Sequence, residues 1–216
     1  MTKGLTAIDI AVAYADFSDV SLLIPPGQLV GLAGPSGSGK TTIARVLAGK
    51  MKPTSGRVLI DGHPVSTTRR RRTTAIATIN QSPRAACNPR WTLGEIIAEP
   101  LLVQNLPLDV TAFAAAAQLG EDLLERTPDQ VSDGQLQRAC IARAMAQGAR
   151  YVICDEPTSA LDPLATAAVV KLLRAQTAAG VGVLFISHDQ RLLTACADQV
   201  LRMEDLVIGS AGKSFP

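Results

Sequence analysis

The chain has 216 residues, 47% of them apolar and 3% aromatic, with a formal net charge of +2. That length and apolar share supply one sizeable core, while so small a charge and so few aromatics argue against nucleic acid as an obligatory partner. No apolar run approaches the roughly 18 residues of a membrane span and no secretory leader is legible at the N-terminus, so a soluble, cytoplasmic protein is expected.

The first strong element is Gln28–Ala33, a buried strand by its apolar run, followed by Gly34-Pro35-Ser36-Gly37-Ser38-Gly39-Lys40-Thr41 and a helix through Ala48. The octet fits the phosphate-loop pattern G-x-x-x-x-G-K-[ST] at every fixed position, in the strand–loop–helix order the pattern requires. Glycine-rich backbone lets N–H groups converge on phosphate without Cβ clashes. Lys40 is then expected to reach the terminal phosphates, Thr41 to offer its hydroxyl to Mg²⁺, and the helix starting near Gly39 to point its positive end at the same anion.

Arg57–Gly62 reads as a hairpin, with His63 in its solvated turn. The run Arg69–Arg72, without interleaved aromatics, is expected to be a solvated edge. A strand at Ala75–Ile79 precedes Gln81. Helices are predicted over Arg90–Val103 and Asp109–Leu119, with a third short one at Glu121–Arg126. Ser132 is a good N-cap for a helix running to about Ala146, with Gly134 at its flexible entry.

Tyr151–Cys154 is too short for a helix and suits a buried parallel strand. It delivers Asp155 and Glu156 to a strand's C-terminal edge, where open α/β sheets bind ligands. Asp155 is expected to hold Mg²⁺, directly or through water, and Glu156 to orient or deprotonate an attacking water. A further strand, Val183–Ser187, ends at His188. The four cysteines have no C-x-x-C spacing, and Cys140 and Cys154 read as reduced core residues.

The ordered set of phosphate loop, Gln81, Ser132–Gln135, Asp155-Glu156, Ser159–Asp162 and His188 resembles the ATP-binding cassette (ABC) ATPases over nearly the whole chain. The resemblance implies an α/β P-loop NTPase fold, an ABC ATPase core with an antiparallel β subdomain and an inserted helical subdomain. The core would comprise residues 1–86 and 132–216, and the helical subdomain residues 87–131. It implies ATP and Mg²⁺ as ligands, with Gly34 to Thr42 (Gly34, Pro35, Ser36, Gly37, Ser38, Gly39, Lys40, Thr41, Thr42) binding nucleotide. Thr41, Gln81 and Asp155 would serve the metal, and Glu156, His188 and Gln81 would be catalytic. Tyr14 is similar to the adenine-stacking aromatic of the family, or is a half-buried strand tyrosine.

In this family two cassettes sandwich two nucleotides, so Ser132, Asp133, Gly134 and Gln135 would act in trans on the partner's ATP, and Ser159–Asp162 would meet the partner. The usual second signature residue is glycine; here it is Asp133, whose carboxylate would repel a phosphate unless turned outward. That departure favours a non-identical second ABC ATPase subunit, with a homodimer as the alternative. Two transmembrane permease subunits and an extracytoplasmic substrate-binding protein complete the implied system, with the chain peripheral on the inner face of the cell membrane.

The stretch Ser82–Pro100 and the segment Gly134–Cys140 are similar to the oligopeptide, dipeptide and nickel importer branch. Members of that branch carry an extension after the last core strand; this sequence runs to Pro216. Trp91 would anchor the permease-docking groove or pack in the core. Two alternatives are a soluble ABC ATPase working on ribosomes or DNA, which normally carries two cassettes or a long coiled coil, and a regulatory cassette that barely hydrolyses ATP.

Overall fold

A computed structural model describes residues 3–13, 18–65 and 74–208. The expected strands form two sheets. Strands β1 (Leu5–Ala11), β2 (Val20–Ile24), β4 (Ser55–Ile60) and β5 (His63–Pro64) make an antiparallel sheet in the order β2-β1-β4-β5. Strands β3 (Leu29–Ala33), β6 (Ile76–Ile79), β7 (Tyr151–Asp155), β8 (Gly182–Ser187) and β9 (Gln199–Arg202) make a parallel sheet in the order β6-β7-β8-β3-β9. The α/β class and the antiparallel subdomain expected from the sequence are both present. Exposed His63 begins β5, as the second arm of the hairpin that turns at Asp61-Gly62.

Strands β3, β6, β7 and β8 are apolar at nearly every position because both faces are covered, unlike the mostly exposed edge strand β9, and their period of two divides the molecule into two cores. On one face Val30 and Leu32, Ile76, Tyr151 and Ile153, and Leu184 and Ile186 pack with the antiparallel sheet and helix α1 (Lys40–Leu47). On the other, Leu29, Ala77, Val152, Cys154, Val183 and Phe185 pack with α2 (Leu93–Val103), α4 (Asp133–Ala146) and α5 (Pro163–Ala178). Helices α3 (Thr111–Ala116), α6 (Gln190–Cys196) and α7 (Met203–Ile208) complete the fold. No described helix is long and apolar enough to cross a membrane.

Three predicted helices are shorter than expected. The first begins at Leu93 rather than Arg90 because Thr92 and Glu95 form a reciprocal capping box there. The second contracts to α3, entered through an Asp109 carboxylate that accepts from Thr111 N–H and left through Gln118 at φ +57°. The third is only a 3₁₀ turn, Glu121–Leu123. Its downstream backbone is committed elsewhere: the carbonyls of Leu124 and Arg126 accept from Gly94 and Leu93, two otherwise unpaired amides at the start of α2.

The two sheets are joined at Asp61, in the β4–β5 turn. Its carboxylate accepts from the Gly4 N–H (3.0 Å), the Tyr151 hydroxyl (2.8 Å) and the Arg150 guanidinium. Desolvation pushes the Asp61 carboxyl up, but the Tyr151, Gly4 and Arg150 interactions together outweigh it and hold the group below its usual value. Stability from this carboxylate is therefore full above the ordinary value near 3.9 and lost as pH falls through the lower folded value. Asp61→Asn is expected to cost about 1–3 kcal/mol at neutral pH and to flatten the acid limb of stability below roughly pH 4, measured by urea unfolding across pH.

Candidate active site

The strand order decides where the chemistry gathers. Parallel strands β6, β7, β8 and β3 are neighbours and end on the same edge, so the residues following each of them share that edge. These are Gln81, Asp155-Glu156, His188 and the Gly34–Thr41 loop.

The loop curls through Gly37 at φ +81° and Gly39 at φ +93°, backbone that L side chains rarely adopt. Lys40 opens α1 and is only 5% exposed; its ammonium donates to the carbonyls of Gly34 (2.8 Å) and Pro35 (2.7 Å) across the loop. Thr42 follows in the first turn of α1. Two observations fit a bound phosphate. Ser38 Oγ is buried without a hydrogen-bond partner, and a Cβ added at Gly37 would meet nothing within 4 Å. A buried cation, an orphaned hydroxyl and an open glycine cradle are what a phosphate oxygen requires.

At the end of β7, Asp155 Oδ1 accepts from the Thr41 hydroxyl at 3.2 Å. Burial pushes its carboxyl up, and the Glu156 charge adds to this, against the Thr41 hydrogen bond. A divalent cation held by Thr41 and Asp155 would reverse that balance. Glu156 adopts φ +48°, uncommon for a residue with a Cβ, and its N–H donates to Ile186 O at 3.1 Å on β8. This conformation accompanies a convergence: Glu156 Oε2 lies 3.4 Å from His188 Nδ1 and 3.5 Å from Gln81 Nε2. Three residues separated by up to 107 positions thus meet at one carboxylate oxygen. The Glu156 carbonyl also accepts from the Ser159 hydroxyl, and Asp162 caps α5 by accepting from Leu164 and Ala165.

The Ser132–Gln135 segment is built differently. Ser132 Oγ accepts from Gln135 N–H while Gln135 Oε1 accepts from Ser132 N–H, a closed capping box for α4. Gly134 packs so closely on α5 that an added Cβ would lie 3.0 Å from Ala165 Cβ. Among the described residues no hydrogen bond or ion pair joins 132–135 to the Gly34–Thr41 loop, whereas Asp133 pairs with Arg84 at 2.8 Å. Arg84 carried no local pattern that marked it in the sequence. Gln137 was likewise missed: it is buried on α4, and its Nε2 donates to Asn80 O at 3.4 Å. Tyr14 and the Arg69–Arg72 run lie outside the described residues.

Beside Gln81, a cavity of about 510 Å³ is lined by Thr78, Asn80, Glu99, Pro100, Cys140 and Arg143, among others. Nearby α2 and its following loop expose Leu102, Val103, Leu106 and Leu108. Trp91 packs partly buried against the core and does not line that cavity. All four cysteines are free; Cys87 and Cys140 sit buried with their sulfurs 3.6 Å apart.

A family model described as ABC transporter matches residues 17–159. A Brucella ovis protein named as a peptide import ATP-binding protein is 39% identical over 194 residues, covering 85% of this chain and 61% of its own length. The chain thus spans less than two thirds of that relative. The nickel import ATP-binding protein NikE of Escherichia coli is 37% identical over 202 residues, 88% of this chain and 75% of its own length. Among solved structures, the dimeric post-hydrolysis cassette MJ0796 bound to ADP and Pi superposes with a TM-score of 0.81 at 25% identity, over 92% of this chain and 93% of that one. For cbiO1 of Clostridium perfringens, part of the transporter complex cbiONQ, the TM-score is 0.83 at 24% identity, over 94% and 85% of the two chains, a likeness of fold.

The loop's tightness generates a prediction that needs no nucleotide. A Cβ at Gly34 would lie 2.9 Å from Ser38 Oγ and 3.0 Å from the Met203 side chain at the start of α7. Gly34→Ala is expected to destabilise the chain by about 1–3 kcal/mol, read as a lower urea midpoint with unchanged m.

Proposed function

The chain belongs to the ABC transporter family, and we propose that it binds and hydrolyses ATP as one cassette of a membrane transporter, of the peptide or nickel import type. The observation that carries this reading is the meeting of Gln81, Glu156 and His188 at one carboxylate oxygen, on the sheet edge that also holds Lys40, Thr41 and Asp155.

In this reading Lys40 exchanges the carbonyls of Gly34 and Pro35 for phosphate oxygens, and Ser38 Oγ gains the partner it lacks. Thr41 and Asp155, with Gln81, would hold Mg²⁺, which when bound would neutralise phosphate charge in the transition state. Glu156 orients the attacking water and takes its proton. His188 and Gln81 fix the Glu156 carboxylate through its Oε2, and both would sense the terminal phosphate. Phosphoryl transfer needs little covalent chemistry from the protein, so positioning and electrostatics carry the rate.

The Ser132–Gln135 segment, built apart from the chain's own phosphate loop, fits a role toward a nucleotide held by a second cassette. The dimeric state of MJ0796 supports that arrangement. Two permease subunits and an extracytoplasmic substrate-binding protein belong to the same proposal, with this chain peripheral on the inner membrane face. The cavity beside Gln81 and the exposed leucines of the α2–α3 region support docking there. Tyr14 as adenine platform also stays within the proposal. So does the division into a core (1–86 and 132–216) and a helical subdomain (87–131).

Glu156→Gln removes the base but keeps the contact-making shape. It is expected to retain Mg-ATP binding while lowering turnover by about 10²–10⁴-fold in the assembled complex. Turnover equal to wild type would exclude Glu156 as the principal catalytic group.

A further inference from the structure

Residues 80–87, which carry Gln81, are tied to α4 at four points. Gln137 donates to Asn80 O (3.4 Å), Arg143 donates to Ala86 O (3.2 Å), and Cys87 touches Cys140 (3.6 Å). The fourth tie is Arg84, in the 3₁₀ turn Arg84–Ala86. Each of its three nitrogens has its own acceptor: Nε donates to Asp133 Oδ1 at 2.8 Å, Nη1 to Pro128 O, and Nη2 to Val131 O at 2.9 Å. A planar guanidinium held by three acceptors is oriented, not merely nearby.

Asp133 is the first residue of α4, between the capping Ser132 and the tightly packed Gly134. A free carboxylate there would set a negative charge beside any phosphate that approaches the α4 N-terminus. The Arg84–Asp133 pair supplies the opposite charge and draws the carboxylate toward residues 82–86.

We propose that Arg84 is a positioning residue for the composite ATP site: it neutralises Asp133 and turns that carboxylate away, so that the Ser132–Gln135 backbone can face an anionic phosphate held by a second cassette. The inference rests on the functional reading above and adds to it a residue to which that reading gives no role. Because Arg84 lies three positions after Gln81, the same contact couples the Gln81 segment to the signature helix.

The test compares steady-state ATPase rates of transporter complexes isolated on a tag carried by this chain. Arg84→Gln removes the charge, and its amide ends near the position of Arg84 Nε, short of the Pro128 and Val131 carbonyls; the rate is expected to fall roughly tenfold, as for an uncompensated like charge. Arg84→Lys, which keeps the charge, should stand clearly above Arg84→Gln. Adding Asp133→Asn to Arg84→Gln removes the carboxylate that needed neutralising and should recover at least about fivefold of the loss, a non-additivity typical of directly paired residues.

A double variant no faster than Arg84→Gln, or an Arg84→Gln rate equal to wild type, overturns the proposal. In the first case Arg84 would act only by bracing two carbonyls. Lys40→Ala is the control: a wild-type rate that this change leaves untouched contradicts the functional reading itself and takes the inference with it.

Discussion

Everything chemical in this molecule depends on four parallel strands ending side by side. Because β6, β7, β8 and β3 are consecutive neighbours, each following loop begins within reach of the next. The strands hold that order because both of their faces are buried: alternating side chains feed one core under the antiparallel sheet and another under α2, α4 and α5. A slip of one residue in any strand would exchange its two apolar faces and move its terminal functional residue off the edge. Register and site are therefore the same constraint.

The edge is also where the local rules of the chain are broken. Glu156 sits at positive φ, Lys40 is a buried cation satisfied only by loop carbonyls, Ser38 keeps an orphaned hydroxyl, and burial pushes the Asp155 carboxyl up. Each carries a free-energy cost in the absence of ligand. Such costs, concentrated on one edge, are those that an anion and a cation bound there would relieve. Departures occur elsewhere too, as in the positive φ of Asn105 and Gln118 and the orphaned Gln137 Oε1, but there α2 and α4 carry reciprocal capping boxes and α5 an aspartate cap.

What was legible in the sequence was whatever short-range pattern encodes. The strand before the phosphate loop, the strand before Asp155 and the strand before His188 each announced themselves as an apolar run ending in the residue that matters. The cap at Ser132 was equally readable. Less legible was anything set by contacts distant in sequence. The predicted helix over Glu121–Arg126 dissolved because the carbonyls of Leu124 and Arg126 accept from the amides that start α2, some thirty residues upstream. Asp133 read as a departure of uncertain sense until its partner, 49 residues away, was in place. No periodicity could have named Arg84. Asp61, which read only as a turn residue, proves to be the joint between the two sheets.

The most direct measurement is calorimetric titration of the purified full chain with Mg-ATP, beside Lys40→Ala. If the edge is a nucleotide site, the wild type binds close to one nucleotide per chain, and loss of the lysine weakens binding by at least roughly tenfold, the scale of one charge-assisted phosphate contact. Equal affinity in the two proteins, or no binding to a wild-type chain shown to be folded, would contradict the assignment of this edge.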